Sequence, residues 1–453
     1  MDPKVAIIII AVIVVILGVV AYFILSGPST SDPTKIKAEI IFWNIGDNQT
    51  AIKPLLEAFN KKYRGIKVTY YKKSIETYEK DLLDAMASGQ APDVFVIGNT
   101  WLPRYKNKIS PMPLSKEFIT PTDFRKNFVN VASEDFIAAP SPAGPNDKTV
   151  YPEQIYAIPL FVDTLALYWN KDIFYSANIA EPPKKWEEFV EVVKKLTIKD
   201  EKGISRAGAC LGTANNVNRA TDILGLLMLQ TGTKMVDDKK SKATFDQPIT
   251  VKSSDGEQKI YEAGREALRF YTSFADPRNE NYTWNSKMDY SIDVFTEGKA
   301  AMMINYSYHL ATIKAKEPHL NFGIAPLPQP GDAKTTVNYA NYWGLTVAKS
   351  ADQNKVKAAW LFIQWLTESD NLKQYLQITN KPTSRVDLVN EQKNDLNLSV
   401  FAEQALSARS WYQVNPGAIE KIFSEMIEAV NSGSLDLGKA IKRGAEQVTQ
   451  LMQ

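Results

Sequence analysis

Hydrophobic positions along this chain follow two rhythms, and the places where one gives way to the other mark its elements. Ala38–Asn44 is a short, mostly apolar run that predicts a strand, and Gly46–Asp47 supplies the turn after it. Ile52, Leu55, Leu56, Phe59 and Tyr63 then recur at helical spacing and give one apolar face. Ile66–Tyr71 alternates as a second strand. A helix turning Tyr78, Leu82 and Met86 inward should end at Gly89, a residue suited to the left-handed position after a helix. Pro92 precedes a third strand, Asp93–Gly98. Strand, helix, strand, helix, strand in this order is a parallel α/β unit. Ligands of such sheets bind beyond the C-terminal ends of the strands, here Trp43–Asn48 and Gly98–Trp101.

The second half of the pattern starts at Tyr156–Phe174. Between Leu160 and Trp169 this stretch is apolar except for Thr164 and one acid, Asp163. So short a run, rich in aromatic and branched residues, predicts a buried strand that bends or begins at Pro159. An ionised carboxylate buried there needs partners, from the protein or from a hydroxyl-rich ligand. The expectation is that the stretch crosses between two domains and puts Asp163 at the cleft. Ala138–Pro152 is a Pro-rich surface loop. Helices follow with Trp186, Phe189, Val190 and Val193 on one face, and with Ala267, Phe270, Tyr271 and Phe274 on another. Ile223–Leu229 is apolar all round, the mark of a buried helix. Asn321–Pro330 reads as a strand running into a Pro-rich connection, and Trp343–Ala348 as a further strand. Ala358–Leu366 is an apolar helix, Thr367–Asp370 a break, and Ile419 to Val430 a late amphipathic helix. There is no internal repeat.

Val5–Leu25 has a different pattern: 21 residues with no charge. At about 1.5 Å rise per residue it matches the hydrocarbon thickness of a bilayer. It lacks a small-residue cleavage site, and no cysteine follows it for a lipid anchor. The expectation is one uncleaved transmembrane signal-anchor at residues 5–25, with cleavage near Ser26 as the alternative. Lys4 favours a short inner end, and residues 26–37 would then be a tether outside the cell membrane.

Composition narrows the chemistry. The 453 residues allow two or three domains, and a net charge of +2 without a basic stripe gives no case for nucleic acid. Two histidines exclude a His-based metal cluster and argue against a His-dependent triad; one cysteine excludes an internal disulfide or a CxxC metal site. No cofactor and no metal are expected. Gly433–Lys439 fits GxxxxGK, but Ala440 stands where a magnesium-binding hydroxyl belongs and a helix, not a strand, precedes it. GxSxG, HExxH and GxGxxG are absent. Nine Trp and 20 Tyr either fill large cores or line a site for a ligand with apolar faces and polar edges, such as a sugar. With 51 acids, sequence spacing leaves a surface glycosidase open.

Eight stretches, in order, resemble the family 1 extracellular solute-binding proteins of ABC importers, the group that contains maltose-binding protein. They are Ile41–Asp47, Leu55–Val68, Ala87–Trp101, Tyr156–Phe174, Pro182–Phe189, Phe295–Asn305, Asn321–Pro328 and Tyr342–Ser350. The resemblance implies an α/β, two-lobe periplasmic-binding-protein fold with three interlobe crossings, following the transmembrane helix. It implies crossings near Phe161–Thr164, Ile324–Pro328 and Leu366–Ser369. Lobe one is then 38–162 plus 328–366, and lobe two 163–327 plus 367–453. The implied function is a non-enzymatic, extracytoplasmic receptor, a monomer, that captures a carbohydrate for the permease subunits of an ABC transporter. The alternatives are the glycosidase and the same fold binding a non-sugar solute.

Site residues carried over from the resemblance are Asp47 and Asn48 at the first strand's end, then Asn99, Thr100 and Trp101 after the third. Asp163 falls on the family's crossover acid, one methylene shorter than the Glu of maltose-binding protein. Tyr308 takes a stacking position, Tyr342 and Trp343 precede the strand to Ala348, and Trp411 and Tyr412 form a late aromatic pair. Arg219 and Asp222 match loosely. Asn48 and Thr100 lack the charges of maltose-binding protein at those places, so maltose itself is not implied. Trp43, Trp169, Trp186, Trp360 and Trp365 are expected in the core.

Overall fold

The computed structural model describes residues 36–141, 149–252, 258–350 and 352–453. The expected anchor at residues 5–25 lies outside the described residues, and among those described no helix is long and apolar enough to cross a membrane.

The first sheet grows from the alternation in Ile66–Lys73, where Ile66, Val68 and Tyr70 are buried while Lys67, Thr69 and Tyr71 face out. This edge strand lies parallel to Ala38–Ile45, which lies parallel to Val94–Gly98. Trp343–Ala348 then joins antiparallel, although it is distant in sequence. Helices Gln49–Lys62 and Gln353–Leu366 cover the sheet. Phe59 and Phe42 each meet Phe362 edge to face, at 5.0 and 5.5 Å between centroids, a geometry aromatic rings prefer. A second core forms around Ala166–Asn170, whose five residues are all buried, flanked antiparallel by Met302–Asn305 and Phe322–Ala325. Helix Ala220–Gln230 packs there, buried from Ile223 to Met228 as its unbroken apolar surface requires. Trp169, Trp186, Trp360 and Trp365 are buried, as is Trp284, whereas Trp43 is only partly covered.

The run expected to form one strand is divided among three sheets. Ile158–Pro159 pairs with the first-core strand Trp343–Ala348, Asp163–Thr164 pairs with Asn338–Asn341, and Ala166–Asn170 is the centre of the second core. Continuous hydrophobicity marks burial, and here burial continues from one core into the next.

Between the cores lies a three-stranded sheet made of the chain's crossings: Ala408–Arg409, Asn338–Asn341 and Asp163–Thr164. Successive side chains of a strand point to opposite faces. In the middle strand, accordingly, Tyr339 enters the second core and Ala340 the first. Two crossings thus differ from those expected at 324–328 and 366–369. Residues 328–337 form a strap on the second core, where the Gln230 side-chain amide donates to the carbonyls of Pro328 (3.1 Å) and Val337 (3.0 Å). Beyond Leu366 the chain turns without leaving the first core, into which Leu372, Tyr375 and Leu376 of helix Ser369–Thr379 pack. Proline and a helix break signal the end of an element and carry no information about which core comes next. Gly433–Lys439 is a turn between helices: Gly433 takes φ +71°, and the Asp436 carboxylate caps helix Leu437–Leu451 by accepting from the Lys439 backbone N–H at 2.9 Å.

Candidate functional site

A cleft of about 1160 Å³ opens between the two cores. Its first wall is built at the end of Val94–Gly98. Trp101 lies against Gly98 so closely that a Cβ there would sit 2.9 Å from the indole nitrogen. The ring stacks on Tyr105 (5.4 Å, 16°) and meets Trp343 nearly perpendicularly (5.0 Å, 72°). Trp101 is therefore as much packing as platform, and Trp343 adds a second partly exposed indole. Asn99 and Thr100 complete the loop and line the cleft.

The second wall is organised by Arg219, at the N-cap of helix Ala220–Gln230. Its φ of 61° is left-handed, a conformation costing a residue that carries a Cβ about 1–2 kcal/mol, so neighbouring contacts must hold it. They do: Nε and Nη2 donate to Asp222 Oδ2 at 2.9 and 2.6 Å, and the Tyr306 hydroxyl donates to the same oxygen at 2.7 Å. The guanidinium covers the Tyr306 ring at 5.4 Å, and Tyr308 stacks on that ring at 5.8 Å and 16°. Tyr308 is 54% exposed and presents aromatic surface to the cleft. His309 follows it; burial, reinforced by Arg219, pushes the imidazole down to about 4.

Four acids of the cleft, Asp47, Glu79, Asp163 and Asp222, are held by protein donors. Asp47 is buried, and its carboxylate accepts from Lys381 Nζ (2.5 Å), Tyr375 OH (2.7 Å) and Asn44 Nδ2 (3.1 Å). Glu79 pairs with Arg104 at 2.7 Å. Asp163 is 3% exposed; its Oδ1 accepts from the backbone N–H groups of Thr164 (2.9 Å) and Ser307 (3.1 Å), and its Oδ2 from the Ser307 hydroxyl (2.8 Å). Burial still pushes this carboxyl up to about 6, against the pull of those bonds. The partner that the sequence demanded for Asp163 is thus a helix-start hydroxyl of the second core, and the acid lies at the cleft floor beside it.

Ten of the thirteen sequence-derived residues line the cleft: Asp47, Asn99, Thr100, Trp101, Asp163, Arg219, Asp222, Tyr308, Trp343 and Trp411. Three do not. Asn48 is exposed at the start of helix Gln49–Lys62 and accepts from Lys72 Nζ at 2.8 Å. Tyr342 is fully buried, its hydroxyl donating to Asp135 Oδ2 at 2.6 Å. Tyr412 sits below Lys240 Nζ at 5.0 Å. For both tyrosines the reason is extended-chain alternation: Asn341 and Trp343 line the cleft, as do Trp411 and Gln413, so the residue between each pair points away. Asn341 and Gln413 could have been found by that rule. Lys381 and Tyr375, which fix Asp47 from across the sequence, carried no local signal.

A family model described as "Bacterial extracellular solute-binding protein" matches residues 43–373. The chain is 26% identical over 245 residues to the multiple sugar-binding protein of Streptococcus mutans, a match covering 53% of this chain and 54% of that protein. It is 22% identical over 347 residues to the maltotriose-binding protein of Pyrococcus abyssi, covering 75% of this chain and 65% of that one. The chain thus matches less than two thirds of the length of either relative. Among solved structures, the cyclic alpha-maltosyl-1,6-maltose binding protein from Arthrobacter globiformis superimposes with a TM-score of 0.72 over 92% of this chain and 99% of that one, at 16% identity. At that identity the likeness is one of fold.

Proposed function

The chain belongs to the bacterial extracellular solute-binding protein family, and from that premise we propose that it captures a neutral oligosaccharide in the interlobe cleft for an ABC transporter permease. The observation that carries the reading is the make-up of the two walls. Each offers aromatic surface, Trp101 and Trp343 on one side and Tyr308 on the other, while most of its charge is paired within the wall as Asp47–Lys381, Glu79–Arg104 and Arg219–Asp222; Lys72 and Glu420 also line the cleft and belong to none of these pairs. Aromatic faces suit the C–H faces of a pyranose, and polar groups with spare lone pairs or protons suit its hydroxyl edges. Walls whose charges are mostly paired with one another suit an uncharged solute. Two relatives named for binding multiple sugars and maltotriose support the same class. The acids at 47, 79 and 222 are each tied to a cation and that at 163 to backbone and hydroxyl donors, so the cleft is read as a binding site and not as the paired acid and base of a hydrolase.

Binding is by closure: a ligand touching both lobes stabilises the closed arrangement by the difference between its affinities for closed and open states, with the crossing sheet as hinge. The receptor works outside the cytoplasm, as a monomer, anchored by residues 5–25 through a tether at 26–37. Differential scanning fluorimetry with a panel of mono- and oligosaccharides tests the ligand class. A ligand at a hundredfold excess over Kd adds about 2.7 kcal/mol of stability, so a binding sugar raises Tm by several degrees. No shift with any sugar, with a shift for a charged solute instead, would overturn the reading.

A further inference from the structure

We infer that Asp135, which does not line the cleft, is a positioning residue that ties a ligand-facing side chain of the first lobe to one of the second. It lies on helix Asn130–Phe136, and its carboxylate gathers three donors from three separate segments. Asn99 Nδ2 donates to Oδ2 at 3.1 Å, the Tyr342 hydroxyl donates to the same oxygen at 2.6 Å, and the Ser410 hydroxyl donates to Oδ1. Asn99 lines the first wall. Ser410 directly follows the crossing strand Ala408–Arg409 and precedes Trp411, which lines the cleft and belongs to the second core, stacked on Phe423 at 5.7 Å and hydrogen-bonded to Tyr339. A parallel tie runs beside it: Glu134 accepts from Arg409 Nη1 at 3.1 Å. One turn of helix thus grips the third crossing at two consecutive residues and the first wall at one.

The cluster has a consequence that packing alone would not give. Three donors converge on one carboxylate, which in its ionised form accepts all three at once. Protonation turns one oxygen into a donor, so the hydroxyl facing it must reverse its direction, and bonds that were charge-assisted become neutral and weaker. Burial pushes this carboxyl up to about 6, with the bonds from Ser410, Tyr342 and Asn99 pulling down and Glu134 pushing up. The groups facing it are Glu134 and Arg409, paired with each other, and the tyrosines at 339 and 342, which titrate far above this range. The geometry of Trp411 relative to Asn99 therefore changes across pH 6, with the tie intact above and loosened below.

This inference rests on the cleft being the ligand site only for its effect on affinity; the tie itself can be read without ligand. The full chain in detergent, labelled with 5-fluorotryptophan, gives a ¹⁹F resonance for Trp411, assigned with Trp411→Phe. In the unaltered protein this resonance shifts with a midpoint near pH 6. In Asp135→Asn it does not, and in Ser410→Ala, which leaves Asp135 and its two other donors in place, it does not either. A resonance that is flat in the unaltered protein, or that still titrates in Asp135→Asn, overturns the inference. Calorimetry with maltotriose at pH 7.5 gives the second readout: both variants bind about tenfold more weakly, the effect of one lost charge-assisted hydrogen bond, while melting with the unaltered cooperativity. Equal affinities overturn the inference as well. An unaltered protein that binds no sugar contradicts the proposed ligand class, and the ¹⁹F titration still decides the role of Asp135.

Discussion

Asp163 keeps a carboxyl where water barely reaches, and its hydrogen bonds to Ser307 and Thr164 do not fully offset the burial. The sign of the linkage follows. Its folded pKa of about 6 lies above the ordinary 3.8, so between those values the folded state holds more protons than the unfolded one. The group's contribution is therefore most favourable below that window and declines as pH rises through it. Asp163→Asn should flatten the fall in stability from pH 4.5 to 7, leaving the same-signed slope from Asp135; urea titrations at both ends measure it, and an unchanged slope would count against the assignment. The aromatic residues divide by exposure. Tyr308→Ala removes an exposed ring and should weaken sugar binding about tenfold or more, about 1.4 kcal/mol, with little change in Tm. Trp101→Ala should lower both, since the indole also packs on Gly98 and Tyr105. Calorimetry and thermal melts on the two variants separate these effects. The acid at 163 and the tryptophan at 101 were legible because a charge in an apolar run and an aromatic at a strand's end are local anomalies. Their partners were not, because Ser307 and Tyr105 are ordinary residues in ordinary patterns.

At the scale of elements, periodicity found the opening strands and helices of the first core and the longer amphipathic or wholly apolar helices after it, since each buries a face set by a period of 2 or 3.6; it passed over Asn130–Phe136, Met302–Asn305, Ser369–Thr379 and Leu437–Leu451. It failed where the question was which core a face meets. Helix Ser369–Thr379 has an apolar face suited to either lobe, and Leu372 and Tyr375 happen to fill the first. The crossings themselves are two to four residues long and polar enough to resemble loops. One side chain that no pattern marks adds to their cohesion. Gln404, 5% exposed, donates to Thr164 Oγ1 (3.1 Å) and the Leu165 carbonyl (2.8 Å) and accepts from the Leu327 N–H (2.9 Å). Gln404→Ala would leave two backbone groups buried without partners, at about 1–3 kcal/mol each. A loss of about 2–4 kcal/mol in denaturant titrations is expected, and a loss below 1 kcal/mol would show that water replaces the amide.

The whole molecule is two hydrophobic cores joined by a polar three-stranded sheet, with a cleft larger than the roughly 300–1,000 Å³ typical of small-ligand pockets. Large cores favour holding each lobe rigid, and a small joining sheet favours rotating one against the other, so in the proposed reading motion is concentrated at the cleft. The most direct test of capture in that cleft is an isothermal titration of the protein with neutral oligosaccharides, maltotriose, maltotetraose and mannotriose, repeated at two or more temperatures. Saturable one-site heat is expected for at least one of them, with a negative heat-capacity change from burying aromatic surface, and a roughly tenfold weaker isotherm for Tyr308→Ala. A folded protein that gives no binding heat with any of the three, or an isotherm that Tyr308→Ala leaves unchanged, would contradict capture in the cleft.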